Sequence, residues 1–367
     1  NKFQKFINYK FTKSKFQKME IEIPYKAFKK IMDDRKKAIK LGLLTNPSEV
    51  KADIIFNNKK YKVRIRLKGD AEGHWMSQYR MSLRVHVLNG LTILGNSKFS
   101  ITKPIERNHP YDMVFQKLIT DMKNIAPNHQ FVKLIVNGQN WGIMDIEEHM
   151  SPVFLEKQKL RNSPIVKFSN EKKWVYELKD PNDKYAYYRI SDPSIYIHLY
   201  DFKKSLEDIN NRKILKYFSK KHLNYDYDLY DYKSFSNAFL LASIWNWHTL
   251  NSSNLRYYFN PFTLKLEVIT TDQTIISKNL DDQNIMGVRK DQEMLHFHKI
   301  LNAKEYKKNL NDNIKKIRHT LKNAQDYFNN YGNIFPLDNK VNAKILEENI
   351  NKVTSNKDKY LLNLYNK

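Results

Sequence analysis

Residues 130–150 read QFVKLIVNGQNWGIMDIEEHM and predict the central hairpin of the first half of the chain. Two runs rich in aliphatic and β-branched residues flank Asn137-Gly138, the dipeptide that tight two-residue hairpin turns prefer. A helix is expected to follow at residues 151–160, since Ser151 is a good N-cap and Pro152 suits the first helical position. This stretch therefore predicts strand, turn, strand and helix in that order.

The segment upstream of this hairpin alternates in the same way. Residues 50–69 read VKADIIFNNKKYKVRIRLKG, in which apolar Val63, Ile65 and Leu67 alternate with basic side chains. A period of two is typical of strands with one buried face, and NNKK supplies the turn between two of them. Residues 79–95 continue the pattern, so the first part of the chain is predicted to be strand-rich.

The spacing of apolar residues predicts that the second half of the chain is mainly helical. In the first half it predicts one helix, within residues 109–127, just before the central hairpin. Further helices are predicted at residues 194–209, 231–247 and 304–332. Two strand-like segments, residues 254–261 and 264–272, lie between the last two of these helices.

This order of elements predicts an α+β fold of two lobes. Residues 1–18 form a basic N-terminal segment, residues 19–150 a β-rich N-lobe and residues 151–367 a helical C-lobe. A small β-rich lobe, followed by a larger helical lobe that carries an inserted β-hairpin, is the order of elements found in protein kinases.

The formal net charge of +25 is the strongest global feature of the composition. It predicts attraction to an anionic partner, such as nucleic acid, an anionic lipid surface, an acidic polysaccharide or a phosphate-bearing substrate. The alternative is that the lysines, which are spread along the whole chain, mainly solvate the surface. No specific nucleic acid is expected, because the sequence carries no nucleic-acid-binding motif and its aromatic residues are not interleaved with the basic ones.

The chain contains no cysteine, which excludes disulfides, thiolate catalysis and cysteine-ligated metals. No apolar run approaches the ~20 residues of a transmembrane helix, so no transmembrane segment is predicted within this chain. The chain begins with Asn1 and not with Met, so we expect that a preceding segment was removed, either a signal peptide, a membrane anchor or a stretch of the chain that is neither. Residues 1–18 carry six Lys and no acid. They are predicted to be a basic helix at a membrane surface, a stalk after an anchor, or a helix docked on the body through its phenylalanines.

The segment from His248 to Asp272 has the spacing of a metal site built on a hairpin. Asn254 stands where the first strand begins and Asp272 where the second strand ends, so the hairpin would bring the two side chains together. Asp and Asn oxygens suit Mg²⁺, which keeps several water ligands. The alternative is that the asparagines cap the strand and Asp272 is an ordinary loop acid.

Basic residues of the first half are candidates for binding phosphate. Lys68 precedes a loop with Gly69 and Gly73, which is either a phosphate loop or, as we favour, a structural turn. Arg80 and Arg84 are an even number of residues apart, so both are predicted to point to one face of one strand. That face is either an inner face that binds phosphate or, as we favour, a solvated edge.

Two acids, Glu147 and Glu148, end the central hairpin. Since adjacent strand residues point to opposite faces, at most one of them is expected to serve a given site.

Several blocks of this sequence resemble the CotH kinase family, which is named for a spore-coat protein kinase. They are RIRLKGD, YRMSLRV, FVKLIVNGQNWGIMDIEEHM with FLEKQ, PIVKF, and HTLNSSNLRYYFNPFTLKLEVITTDQ, and together they cover roughly residues 50–275. The NG-x-x-x-G block and the aromatic hairpin are specific as a pair but not singly.

The resemblance implies an atypical protein-kinase-like fold that uses ATP with Mg or Mn to phosphorylate a protein acceptor, and it favours an extracytoplasmic or cell-surface location. Asp272 stands at the family's metal aspartate and Asn254 at the asparagine before the aromatic strand. The remaining residues are carried over by motif. Arg80 and Arg84 fall in the basic-x-Ser-x-basic strand, and Glu147 or Glu148 at the strand-end glutamate. In the resulting hypothesis of a kinase, Arg80, Arg84 or Lys68 binds the phosphates.

The chain departs from the family at two positions. His248 stands where the spore-coat kinases carry their catalytic aspartate, and Gln273 follows Asp272 where active members continue with acids. Histidine accepts protons near neutral pH, so it can still orient an acceptor. The departures leave a second hypothesis open, a catalytically degenerate surface protein that binds an acidic partner or polymer through its basic face.

Overall fold

The computed structural model describes residues 16–168, 197–200, 213, 216, 217, 227–250, 254–277, 304–332, 334 and 343–355. Seven strands of its first half close into a barrel in the order β1-β2-β3-β4-β5-β7-β6. Their bounds are Lys18–Glu22 (β1), Val50–Phe56 (β2), Lys59–Leu67 (β3), Leu83–Val87 (β4), Lys98–Thr102 (β5), His129–Val136 (β6) and Gln139–Glu148 (β7). The first strand closes the barrel, because it pairs antiparallel with β2 and parallel with β6.

Both predicted hairpin turns are confirmed. Asn57 and Asn58 have φ of 49° and 58°, and Asn137 and Gly138 have φ of 47° and 79°. Two successive left-handed residues define the type I′ turn, which asparagine and glycine tolerate best. The turns therefore join β2 to β3 and β6 to β7, as predicted, in antiparallel pairs.

The predicted kinase-like two-lobed fold is wrong. A kinase N-lobe has a β-sheet of its own, whereas here the strands form a closed barrel with a mixed parallel and antiparallel ladder. The physical reason is that the period of two identifies a strand without identifying its partners. Closure depends on the pairing of β1 with β6, which are more than a hundred residues apart in the chain.

The barrel interior is a continuous apolar core formed by alternate residues of every strand. It includes Ile21, Ile54, Ile65, Val85, Phe99, Leu134 and Ile146. Helix α1, Tyr25–Leu41, packs its apolar face against this core and ends at Gly42, whose φ of 76° is the left-handed C-cap conformation.

A second unit of sheet and helices packs beside the barrel. Its sheet has the order β11-β10-β8-β9, with bounds Ile165–Phe168 (β8), Ile197–Tyr200 (β9), Arg256–Asn260 (β10) and Lys265–Ile269 (β11). The described helices after α1 are Tyr111–Asp121 (α2), Pro152–Lys157 (α3), Tyr232–Trp245 (α4), Lys304–Leu321 (α5), Ala324–Gly332 (α6) and Lys344–Ser355 (α7). Almost every residue of α4 is buried, and its Trp245 packs on Phe115 of α2 and Phe328 of α6.

The helix predictions of the second half are confirmed in part. Helices at residues 231–247 and 304–332 are present, although the second is divided at Lys322-Asn323 into α5 and α6. The helix predicted at residues 194–209 is wrong over Ile197–Tyr200, which form β9 against β8. Over so short a run, the apolar residues fit both the period of two of a strand and the helical period of 3.6. Pairing with a neighbouring strand then decides which of the two structures forms. The other predicted residues of this segment, and residues 1–15 of the basic N-terminal segment, lie outside the described part of the chain.

None of the helices in the described ranges is both long and apolar enough to cross a membrane. This agrees with the absence of a transmembrane segment predicted from the apolar runs.

Candidate active site on the outer face of the barrel

One row of side chains on the outside of the barrel positions the site. Strand pairing aligns Arg66, Arg84, Ser100, Glu147 and His129 across β3, β4, β5, β7 and β6. The residues beside Arg66, Arg84 and Ser100 on their strands belong to the barrel core, as does Ile146 beside Glu147, so this row points outward. Ser100, Glu147 and His129 are nevertheless buried, because the second unit covers this face.

Five charged or titratable residues meet on this face, and we call them the Glu147 cluster: Lys68, Arg107, Glu147, His248 and Asp272. Oε2 of Glu147 accepts hydrogen bonds from Lys68 Nζ at 2.8 Å and from Arg107 Nη2 at 2.7 Å. Arg107 also donates through Nη1 to Oδ1 of Asp272. His248 Nε2 lies 3.9 Å from the other Asp272 oxygen. The cluster is a chain of alternating charge, in which Arg107 joins the barrel to the second unit.

Asp272 follows β11 and has an unusual backbone conformation. Its φ is 59°, in the left-handed region that aspartate and asparagine enter more readily than most residues. The flanking residues hold this conformation. The Thr271 hydroxyl donates to the carbonyl of Asn254, and the Gln273 N–H donates to Asp112 Oδ1 at 2.9 Å. The Asp272 side chain keeps 32% of its surface exposed, which leaves it accessible to a ligand.

Electrostatics keep both carboxylates of the cluster ionised. Burial favours the neutral form of Glu147, but Arg107 and Lys68 overcome it and hold the Glu147 pKa well below its usual range. Burial alone would raise the Asp272 pKa, but the charge of Arg107 and the contact with His248 lower it below its usual value. Burial, with the charge of Arg107, lowers the pKa of Lys68 to about 8.

His248 and Asn254 lie beside Asp272, as the hairpin spacing predicts. Asn254 Nδ2 donates to the His248 carbonyl at 2.9 Å, and the Asn254 carbonyl accepts from Thr271, one residue before Asp272. The His248 side chain is 46% exposed, and the Asp272 carboxylate raises its pKa. The hairpin therefore brings together all three residues that were expected at its base.

The two arginines predicted to share a strand are separated. Arg84 lies on β4 in the outward row, but β4 begins at Leu83, and Arg80 lies in the preceding loop. Arg80 donates to the Ile143 carbonyl at 2.9 Å. The prediction that both share one strand is therefore wrong for Arg80, because the chain turns before the strand starts.

The two adjacent glutamates point to opposite faces, as expected of neighbours on a strand. Glu147 joins the cluster, whereas Glu148 lies opposite Phe99 and accepts from Lys157 Nζ at 2.5 Å. Only Glu147 can therefore contribute to this site.

The loop after Lys68 contains two glycines that are closely surrounded by other side chains. Gly69 has φ 92°, and a side-chain carbon there would come within 2.2 Å of the His74 ring. A carbon on Gly73 would come equally close to the carboxylate of Glu106. The glycines are thus required for close packing, which agrees with the structural turn favoured from the sequence.

Sequence reasoning missed Arg107, the residue that joins the cluster. It ends a short 3₁₀ turn, Pro104–Arg107, and only 6% of its surface is exposed. Arginine is rarely buried unless it is paired, and nothing in the local sequence PIERNHP distinguishes it from a surface residue. Its partners, Glu147 and Asp272, are far away in the chain, so no local signal could have identified it.

A second polar network, which was also not predicted from the sequence, contacts Gln273, the residue that follows Asp272 of the cluster. We call it the Asp112 network: Asp112, Gln116, His129, Asp145 and Gln273. Asp112 Oδ1 accepts from Gln116 Nε2 and from the Gln273 N–H, both at 2.9 Å. His129 contacts the Asp145 carboxylate through Nδ1 at 3.0 Å, and its Nε2 lies 3.9 Å from Asp112 Oδ2. The network thus ties the residue after Asp272 to the barrel.

The Asp112 network predicts a dependence of stability on pH. Burial alone would lower the pKa of His129, but Asp145 and Asp112 reverse this and raise it from 6.5 to about 9. A raised folded-state pKa contributes stability that is fully present below pH 6.5 and is lost as the pH rises through about 9. We therefore expect His129→Gln to be less stable than the wild type at pH 6, and the difference to narrow towards pH 9.5.

Urea unfolding of both proteins across this range measures the difference directly. Lys68 titrates in both proteins, so subtracting the two curves removes most of its contribution. Asp112 does not cancel in this way, because His129 lowers the Asp112 pKa, so the narrowing is measured above about pH 8. A difference in unfolding free energy that stays constant with pH would show that His129 is not charged in the folded protein.

No cluster of three or more His, Asp or Glu side chains suited to a metal occurs among the described residues. A scan against protein-family models finds no match to this chain, and a search of curated proteins finds none either.

Proposed function

We propose that this chain is a phosphotransferase that moves a phosphoryl group from Mg·ATP to a protein acceptor. The observation that carries the proposal is the chain of contacts from Lys68 through Glu147 and Arg107 to Asp272. Phosphoryl transfer needs cations for the phosphate charge, an acid for the metal and a group that orients the acceptor. Three of the blocks that resemble the CotH kinase family contribute to this cluster, with Lys68, with Glu147, and with His248 and Asp272. The proposal does not depend on a kinase fold, since one chemistry recurs on unrelated folds.

The residues of the cluster fit a nucleotide with its metal. Asp272 is ionised and partly exposed, and the Asn254 carbonyl is bonded to Thr271, the residue before it, so Asp272 and Asn254 are the two oxygen-bearing side chains that we propose for Mg²⁺. Phosphate oxygens and water complete such a site, so a third acidic residue is not required. When bound, Mg²⁺ with its nucleotide supplies the phosphoryl group and neutralises its charge.

The other residues of the face have roles that follow from their positions. Lys68 and Arg84 place positive charge on the outward face of β3 and β4, where phosphate oxygens would be attracted. Glu147 orients Lys68 and Arg107 and does not itself contact the reacting atoms. His248, which is close to half exposed and adjacent to Asp272, orients the acceptor hydroxyl and accepts its proton in the neutral form.

One observation favours a second function, a binding protein without turnover. The guanidinium of Arg107 already engages one oxygen of Asp272, which reduces the capacity of that carboxylate for a metal. Such a protein would retain the basic face and bind an acidic partner or polymer. The two functions differ in whether Mg·ATP binds.

Calorimetric titration with ATP, in the presence of Mg²⁺ or of a chelator, tests the proposal. We expect the wild type to bind ATP only with Mg²⁺, and Lys68→Met to weaken binding by about tenfold, since a charge-assisted hydrogen bond to phosphate contributes roughly 1.5–3 kcal/mol. The matched control is Lys315→Met, because Lys315 is 80% exposed on α5. A wild type that binds no Mg·ATP would overturn the phosphotransferase and leave the binding protein.

A further inference from the structure

The tip of the β10–β11 hairpin exposes two large apolar side chains at the end remote from the Glu147 cluster. Phe262 is 74% exposed and Leu264 is 60% exposed. Each strand has five residues, so the tip lies roughly 17 Å along the strands from Asn254 and Asp272. The tip is therefore a separate surface from the proposed site.

The conformation of Leu264 costs stability and contributes nothing to the core. Its φ is 56°, in the left-handed region that disfavours a branched apolar residue and suits glycine or asparagine. An exposed leucine in a strained conformation is not explained by folding. The residue is better explained by a contact made outside the chain.

The tip is rigid, so its apolar side chains are presented in a fixed geometry. Asn260 Oδ1 accepts from the N–H groups of Phe262 and Thr263, and the Leu264 N–H donates to the Asn260 carbonyl at 2.9 Å. Asn260 Nδ2 in turn donates to Glu267 at 2.6 Å. A preorganised surface binds without the entropic cost of ordering a loop.

A basic side chain lies beside the apolar tip. The guanidinium of Arg161 lies 5.5 Å from the Phe262 ring, and the Arg161 carbonyl accepts from Tyr258 on β10. Lys159 lies two residues before Arg161 in the chain, and Lys265 directly follows Leu264. Apolar side chains beside basic ones are complementary to an anionic lipid surface, where the former enter the acyl boundary and the latter contact the headgroups.

We propose that the β10–β11 tip docks this protein on an anionic lipid surface, with Phe262 and Leu264 entering the interface and Arg161 and Lys159 contacting lipid headgroups. The docked protein would hold the Glu147 cluster at the far end of the hairpin, facing away from the bilayer. The inference does not rest on the phosphotransferase, because the tip is separate from the cluster.

Sedimentation with vesicles tests the docking. The vesicles are phosphatidylcholine alone or an equimolar mixture with phosphatidylglycerol, each at low and at high NaCl. The whole chain should bind only the mixed vesicles at low salt. Phe262→Ser should lower the partition coefficient by roughly tenfold, because the interface buries less apolar surface. Lys159→Gln combined with Arg161→Gln should weaken binding at low salt more than at high salt.

Leu264→Asn separates docking from folding. Asparagine tolerates the left-handed conformation, so this variant should bind mixed vesicles several-fold more weakly and yet melt at a higher temperature than the wild type. The matched control is Tyr25→Ser, which removes an aromatic side chain that is 82% exposed on α1, and it should bind like the wild type.

Three outcomes would overturn the proposal. The first is a wild type that does not bind mixed vesicles. The second is equal partitioning of the wild type and Phe262→Ser while both remain folded by circular dichroism. The third is a change in self-association with Phe262→Ser, seen by gel filtration, without a change in partitioning, because this would assign the tip to a second copy of the chain.

Discussion

Replacing Asp272 by asparagine should abolish phosphoryl transfer while leaving the protein folded. Asparagine keeps the shape of the side chain and suits the φ of 59°, whereas alanine would be strained there. The substitution removes the charge that a metal requires, and we expect the rate to fall by about a thousandfold, the upper range for loss of one electrostatic group. Transfer of labelled phosphate from Mg·ATP to the chain or to an added protein acceptor measures the effect.

The fold of the Asp272→Asn variant is expected to survive because Arg107 keeps its bonds to Glu147. Asp312→Asn is the matched control, since Asp312 is 81% exposed on α5 and should be as active as the wild type. An Asp272→Asn protein that transfers phosphate at the wild-type rate would remove Asp272 from the site. A fall in activity accompanied by unfolding would instead assign the residue to structure.

Replacing Glu147 by glutamine should destabilise the protein strongly. The change leaves Lys68 and Arg107, two buried cations, without the carboxylate that they share. Breaking a buried ion pair in this way typically costs about 3–5 kcal/mol of unfolding free energy. Urea unfolding at pH 7 measures the loss, and Glu156→Gln, an exposed change on α3, should stay within about 0.5 kcal/mol of the wild type.

The destabilisation by Glu147→Gln should shrink as the pH rises. Lys68 has a pKa lowered to about 8 in the folded protein, and loss of Glu147 lowers it further below the unfolded value of 10.5. Between the folded and the unfolded pKa of Lys68, the unfolded variant binds more protons than the folded variant. The unfolding free energy of the variant therefore rises with pH in this range. Adding Lys68→Met to Glu147→Gln should recover part of the loss at pH 7, because it removes one of the two unpaired cations. A double variant as unstable as the sum of the two single variants would show that Lys68 and Glu147 are not coupled.

The parts of the fold that follow from local patterns were predictable. Alternation at residues 50–69 and 130–150 identified four barrel strands, and Asn137-Gly138 identified a tight turn. The hairpin at residues 254–272 brought Asn254 beside Thr271, as its spacing required. These features depend on side-chain alternation and on the φ values that asparagine and glycine tolerate, which are properties of a few neighbouring residues.

The parts that depend on distant pairings were not predictable. A kinase-like lobe was expected, but β1 pairs in parallel with β6 and closes the strands into a barrel. Arg80 was expected on the strand of Arg84, but that strand begins only at Leu83 and Arg80 lies in the loop before it. Arg107 could not be identified as a site residue, because its role comes from burial between Glu147 and Asp272.

By itself, the sequence determined where most strands, the tight turns and most of the described helices lie, and that at most one of two adjacent glutamates could face a site. Only the tertiary structure decided which strands pair, which glutamate faces the site and which arginine completes the ion-pair chain. The reason is physical. Alternation and turn conformation are set within a few residues. The energies of strand pairing and of a desolvated ion pair depend on groups that the chain brings together from far apart only when it folds.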